Sequence, residues 1–158
     1  MVVPAWHVDF LKQPLSLWIA TTNLENIPEP VKCTGILFDP ATDTFTCFAP
    51  KKFTDKAFKD LAENPIMSLV GVELHTYEGY QYKGQYLSYR ECTQEEIEYQ
   101  HKHMKEFSDI LHSFGYSGPG FLKAYIHPPF VAFLFRATQV FDQSPKVGTG
   151  GEIKAGNS

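Results

Sequence analysis

Hydrophobic and polar residues alternate along several stretches of this chain and switch to a helical period in three others. Residues 15–22 read as a strand, 23–28 as a turn, 31–38 as a second strand and 39–43 as another turn, with 44–49 completing a three-stranded meander. Behind Pro65, residues 66–72 form an almost unbroken apolar run, the pattern of a strand buried on both faces. Residues 79–89 alternate instead. Tyr80, Tyr82 and Tyr86 share one parity and Gln81, Lys83 and Gln85 the other, so one side packs while the other stays polar. A short strand at 123–127 and a long one at 130–141 end the series.

Trp6, Phe10 and Leu11 fall near helical spacing behind Pro4 and predict a short helix, stopped at Gln13-Pro14, that lids a barrel. A second helix begins at Thr54 or Asp55 and stops at Asn64-Pro65. The third, 93–114, carries a Thr93/Glu96 capping box, a Gly115 stop, an apolar stripe of Ile97, Met104, Phe107, Leu111 and Phe114, and a Glu98–Lys102 pair at i,i+4. Ser117-Gly118-Pro119-Gly120 reads as a flexible connection. Short turns between successive strands predict a mainly antiparallel sheet closing into a barrel with peripheral helices, mainly β with α. Residues 1–143 form one domain, and 144–158, rich in Gly, read as a flexible or partner-contacting tail.

Composition narrows the function. Fourteen basic against eighteen acidic residues give a net charge of −4, so no global field recruits nucleic acid. The three cysteines, without C-x-x-C spacing, support neither a disulfide framework nor a zinc site and suit a reducing compartment. The longest apolar run, 130–135, is far short of a membrane span, and the first residues lack a secretion signal, which points to the cytoplasm. His101 and His103, two apart on a helix, point about 200° apart and do not share a metal. His7, His75 and His127 are scattered, and a structural role suits each, with His127 also placed to line a haem or substrate cavity. Neither a G-x-S-x-G elbow nor a nucleotide-binding glycine loop is present.

Against the acidic background, residues 48–57 stand out as a strand running through a basic turn, Lys51-Lys52, into a helix carrying Lys56. Lysines and free amides at a helix start are a geometry that holds phosphate; the same lysines also suit a solvated face.

At this point the chain resembles the pyridoxamine 5'-phosphate oxidase-like split barrels that bind flavin mononucleotide (FMN). The likeness is carried by the turn and prolines of 23–30, by Thr54-x-Lys56-Ala57 followed by Leu61-Ala62-Glu63-Asn64-Pro65, and by Tyr80-Gln81-Tyr82-Lys83-Gly84. The resemblance implies an antiparallel split β-barrel and a homodimer with FMN at the subunit interface. It implies an oxidoreductase that moves a hydride or electrons to or from a small organic substrate, or a non-catalytic carrier or sensor of flavin, deazaflavin or haem. By the same resemblance Lys56 and Thr54, with Lys51 or Lys52, hold the phosphate. Phe48, Ala49 and Pro50 lie against the ring edge, Val31, Lys32 and Cys33 flank the ring, and Gln81 hydrogen-bonds it from the other side. Lys56 stands five residues before Leu61, where the family's lysine stands four before, which brings Lys51 and Lys52 forward as phosphate partners. The substrate-phosphate arginines of the vitamin B6 oxidases have no counterpart, since Arg90 and Arg136 are the only arginines, so pyridoxamine phosphate is not the expected substrate.

Overall fold

The computed structural model describes residues 1–116 and 120–154. Along the chain run α1 (His7–Leu11), β1 (Ser16–Thr22), β2 (Pro28–Lys32), β3 (Gly35–Asp39), β4 (Thr44–Pro50), a 3-10 turn (Lys51–Phe53), α2 (Asp55–Glu63), β5 (Ile66–Val72), β6 (Gly79–Glu91), α3 (Gln94–Ser113), α4 (Gly120–Tyr125) and β7 (Phe130–Asp142). The strands bond in the order β2-β1-β5-β6-β7-β4-β3, and each neighbouring pair is antiparallel. This is the mainly β architecture with peripheral helices expected from the pattern.

The single strand expected over 31–38 is two strands at opposite edges of the sheet. The chain bends at Cys33-Thr34, where Cys33 N donates to Leu17 O (3.0 Å) and Thr34 N to Phe48 O (2.9 Å). Two residues can span only about 10 Å between Lys32 and Gly35, so this corner pulls the two edges together. The two edge strands are therefore joined at one corner by the chain itself, with no ladder between them. Inside the barrel Leu17, Ile19, Phe45, Cys47, Leu69, Tyr82, Phe133 and Phe135 are fully buried.

β5 is buried on its inner face alone: Met67, Leu69 and Gly71 point inward, Ser68 and Val70 are half-buried, and Ile66 is exposed. The apolar run misled because the helices make their main sheet contacts with β1, β2 and β3, leaving the outer side of β5 uncovered. Residues 123–127, expected as a strand, belong mostly to α4, whose Gly-Phe-Leu-Lys-Ala-Tyr lacks any β-branched residue and packs on α3. Of the connection at 117–120, residues 117–119 lie outside the described residues.

The Thr93/Glu96 capping box forms in both directions, at 3.2 and 2.8 Å, and Gly115 takes the left-handed conformation (φ 89°) that ends α3. Met104 and Phe107 of the stripe are buried, while Phe114 is exposed. The Glu98–Lys102 pair is not made. Lys102 has a glutamate four residues to either side and faces Glu106 (3.9 Å), while Glu98 accepts from Gln94 (3.0 Å). Within the expected tail of 144–158, Ile153 N donates to Val140 O (2.7 Å) and Ser144 is buried, and just before it Gln143 N donates to Gly79 O (2.8 Å). No helix among the described residues is long and apolar enough to cross a membrane.

Candidate functional site

Strand register builds a continuous row on the outside of the barrel. Lys32 of β2 stands opposite Trp18 of β1, Trp18 opposite Val70 of β5, Val70 opposite Gln81 of β6, and Gln81 opposite Phe141 of β7. Directly opposed residues share a face, so an ammonium and an amide stand on one side of the sheet, about 14 Å apart across three strand spacings. Apolar Trp18 and Val70 lie between them. Gln81 is half-buried, and among the described residues its side chain meets only Gln143 Nε2, which donates weakly to its Oε1 at 3.5 Å. No periodicity argument could place Lys32 and Gln81 together, because register between strands 49 residues apart is set by pairing and not by local pattern.

Lys32 is only 6% exposed. Its Nζ lies over the rings of Phe107 (4.7 Å) and Trp18 (5.5 Å) and donates to Ser16 Oγ at 3.4 Å; among the described residues it has no carboxylate partner. Burial pushes its pKa down from 10.5 to about 8, with the neighbouring Cys33 thiol pulling the other way. A charge kept inside a fold without its counter-ion is costly, and such groups concentrate at functional sites.

The corner brings Lys32 to the end of β4, and α3 covers it. Tyr99 Oη donates to Ile36 O (2.6 Å), Thr34 Oγ1 donates to Gln100 Oε1 (2.7 Å), and His103 Nε2 meets Leu15 O at 3.3 Å. Gly35 permits this approach, since a Cβ there would come within 2.8 Å of the Tyr99 ring. Phe48 is consequently sealed under Tyr99 and fully buried. Val31, Cys33 and Ala49 belong to the barrel core, so only their backbone can meet a ligand outside. Pro50 is buried as well.

The basic turn is formed but divided. Lys51 and Lys52 are exposed, Lys52 Nζ lying over Phe53 (4.6 Å), and Lys51 N donates to Pro129 O (2.9 Å). Thr54 occupies the N-cap of α2, yet its hydroxyl donates back to Lys51 O (2.7 Å) and caps nothing. Lys56 Nζ lies 3.3 Å from Asp60 Oδ2 and 3.4 Å from Glu29 Oε2. Desolvation works to lower its pKa and the two carboxylates more than reverse it. Asp60 in turn accepts from Thr21 Oγ1 (2.9 Å), which ties α2 to β1. Lys56 is thus engaged in holding α2 to the barrel, and a partner 27 residues upstream was not legible from its own segment.

The histidines are dispersed. His103 is buried under α3 and His101 sits near Phe130 (6.1 Å between rings). His127 meets Phe53 at 5.8 Å. His7 is buried inside the lid, bonded through Nδ1 to Tyr82 Oη (2.7 Å), with Nε2 unpaired. Among the described residues no three His, Cys, Asp or Glu cluster in a metal-holding arrangement.

No family model and no curated protein matches the chain. Solved structures do share its fold. An F420 reductase superposes with a TM-score of 0.56 at 14% identity, covering 87% of this chain and 98% of its own. HupZ of Group A Streptococcus gives 0.55 at 14% identity, covering 96% and 100%. An FMN-binding protein from Syntrophomonas wolfei gives 0.50 at 13% identity, covering 82% and 77%. Identities this low establish the fold alone, and the fold is the antiparallel split barrel that the resemblance implied.

Proposed function

We propose that the protein binds FMN on the outer sheet face and uses it to move a hydride or electrons to or from a small organic substrate. The observation that carries this reading is the row Lys32–Trp18–Val70–Gln81. Trp18 and Val70 offer a flat apolar surface, Gln81 an amide that both donates and accepts, and Lys32 an ammonium whose charge no acid neutralises among the described residues. Those are the donor types that a conjugated ring with a polar rim requires. Lys51, Lys52 and the amides at the start of α2 are the phosphate partners in this reading, and Lys56 supports them from its carboxylate pair. Two structural neighbours, an F420 reductase and an FMN-binding protein, support a flavin-like ligand.

When bound, the flavin supplies the redox chemistry. The chain's own residues orient it: Lys32 sets positive potential at one end of the row, Gln81 fixes the ring by hydrogen bonding, and Trp18 and Val70 exclude water. A second copy of the chain covers the open face, making the working unit a homodimer, and the free thiols suit the cytoplasm.

An absorbance spectrum of the purified protein tests the reading, with flavin bands in a ratio of about one per chain expected. Lys51→Ala with Lys52→Ala lowers flavin retention, whereas Lys32→Ala or Gln81→Ala changes flavin reactivity more than retention. A second reading, a carrier of flavin, deazaflavin or haem without turnover, is favoured by one observation: no Asp, Glu or His stands on the row. Bound flavin that no donor reduces and no acceptor oxidises supports the carrier, and an intense haem band overturns FMN. A colourless protein whose melting temperature is unmoved by FMN overturns the flavin reading in both forms.

A further inference from the structure

One row along from Trp18 and Val70, Ala20 stands opposite Ser68, and Ser68 opposite Lys83. Two small residues between bulkier rows leave a notch of about 160 Å3 bounded by Ala20, Thr22, Ile66, Ser68 and Lys83. A cavity of about 150 Å3 takes a guest the size of benzene, whereas pockets for drug-sized ligands run to roughly 300–1,000 Å3.

Its chemistry is one-signed. Lys83 is half-buried, with Nζ 4.6 Å over the Phe141 ring and no carboxylate partner among the described residues. Ser68 is half-buried, and its hydroxyl has no hydrogen-bond partner among the described residues. The outward positions of the surrounding rows carry Lys32, Lys83 and Arg136 and no Asp or Glu, in a chain with eighteen acidic and fourteen basic residues. An ammonium and a free hydroxyl beside an apolar floor of Ala20 and Ile66 match an anion attached to a single small apolar body.

We infer that this notch is the subsite for a small organic carboxylate, held through Lys83 and Ser68. The inference deepens the flavin reading by naming the class of substrate, and it rests on that reading only for the carboxylate's being a substrate. The other source of a negative group is the cofactor's own phosphate, and the two separate by experiment.

Flavin-free protein is titrated with benzoate and, separately, with benzamide, its neutral analogue, following backbone amide shifts by NMR. Benzoate is expected to shift Ala20, Ser68 and Lys83 and to bind about tenfold more tightly than benzamide, the ratio that one charge-assisted hydrogen bond supplies. Lys83→Met, at a surface position, abolishes that preference while leaving the remaining amide spectrum intact. The inference is overturned if the two ligands bind alike, if the shifts centre elsewhere, or if Lys83→Met leaves benzoate affinity unchanged. It is also overturned if Lys83→Met strips FMN from the protein, which assigns the lysine to the cofactor phosphate. A protein that never takes up FMN but still prefers benzoate in this notch sinks the flavin reading and sustains this one.

Discussion

Replacing Lys32 by Met is expected to stabilise the ligand-free protein. At neutral pH the Lys32 ammonium is carried inside the fold at a pKa of about 8, against 10.5 ordinarily. That difference is worth about 3 kcal/mol of lost stability wherever both states are protonated. Met fills nearly the same length, keeps the contacts to Trp18 and Phe107, and carries no charge to desolvate. For a chain of this size the gain raises the melting temperature by roughly 6–12 °C.

The sign has a second signature. Between pH 8 and 10.5 the unfolded chain binds more protons at this position than the folded one, so wild-type stability rises with pH and the advantage of Lys32→Met closes. Urea unfolding of both proteins from pH 7 upward measures it. A variant less stable than wild type at pH 7, or a gap that does not change with pH, refutes the reasoning. A fold that retains so costly a cation has a use for it, and FMN should stabilise wild type more than it stabilises Lys32→Met.

Burial also pushes His7 and His103 down from 6.5 to about 4; Asp142 opposes the shift at His7, and at His103 the Leu15 carbonyl opposes it while Lys32 adds to it. The unfolded chain therefore binds more protons between pH 6.5 and 4, and stability falls by several kcal/mol in sum as pH drops through that window. Urea midpoints across the window check this, and a flat profile contradicts it. Gly84 sits at a register shift between β6 and β7, where an added Cβ would lie 1.9 Å from Arg136 O. Gly84→Ala should cost at least about 3 kcal/mol or leave the protein insoluble, and near wild-type denaturation would show that the sheet can shift there.

Much of the barrel was legible because period-two strands and a capped helix declare themselves locally. The parity of Tyr80, Tyr82 and Gln81, Lys83 and the Thr93/Glu96 box needed no tertiary information. The break at Cys33-Thr34 did, because Val31 to Phe38 is rich in strand formers on both sides of a bend that only closure of the barrel imposes. The site divides in the same way. The family resemblance points to Lys32 and Gln81 but not to their shared row, to Lys56 without its partner Glu29, and to neither Ala20 nor Ser68. The outward parity of β1 and β5, where Ala20 and Ser68 alternate with buried Ile19, Thr21, Met67 and Leu69, was the signal that could have found those two.

The central claim is that a flavin lies on the row containing Trp18, and the chain allows a direct measurement because it has only two tryptophans. Trp6→Phe leaves Trp18 as the sole indole emitter, half-exposed on the outer face. Titration of that variant with FMN should quench Trp18 emission and saturate at about one flavin per chain, as energy transfer to an adjacent ring requires. FMN that binds without changing Trp18 emission, or fails to bind at all, contradicts the account.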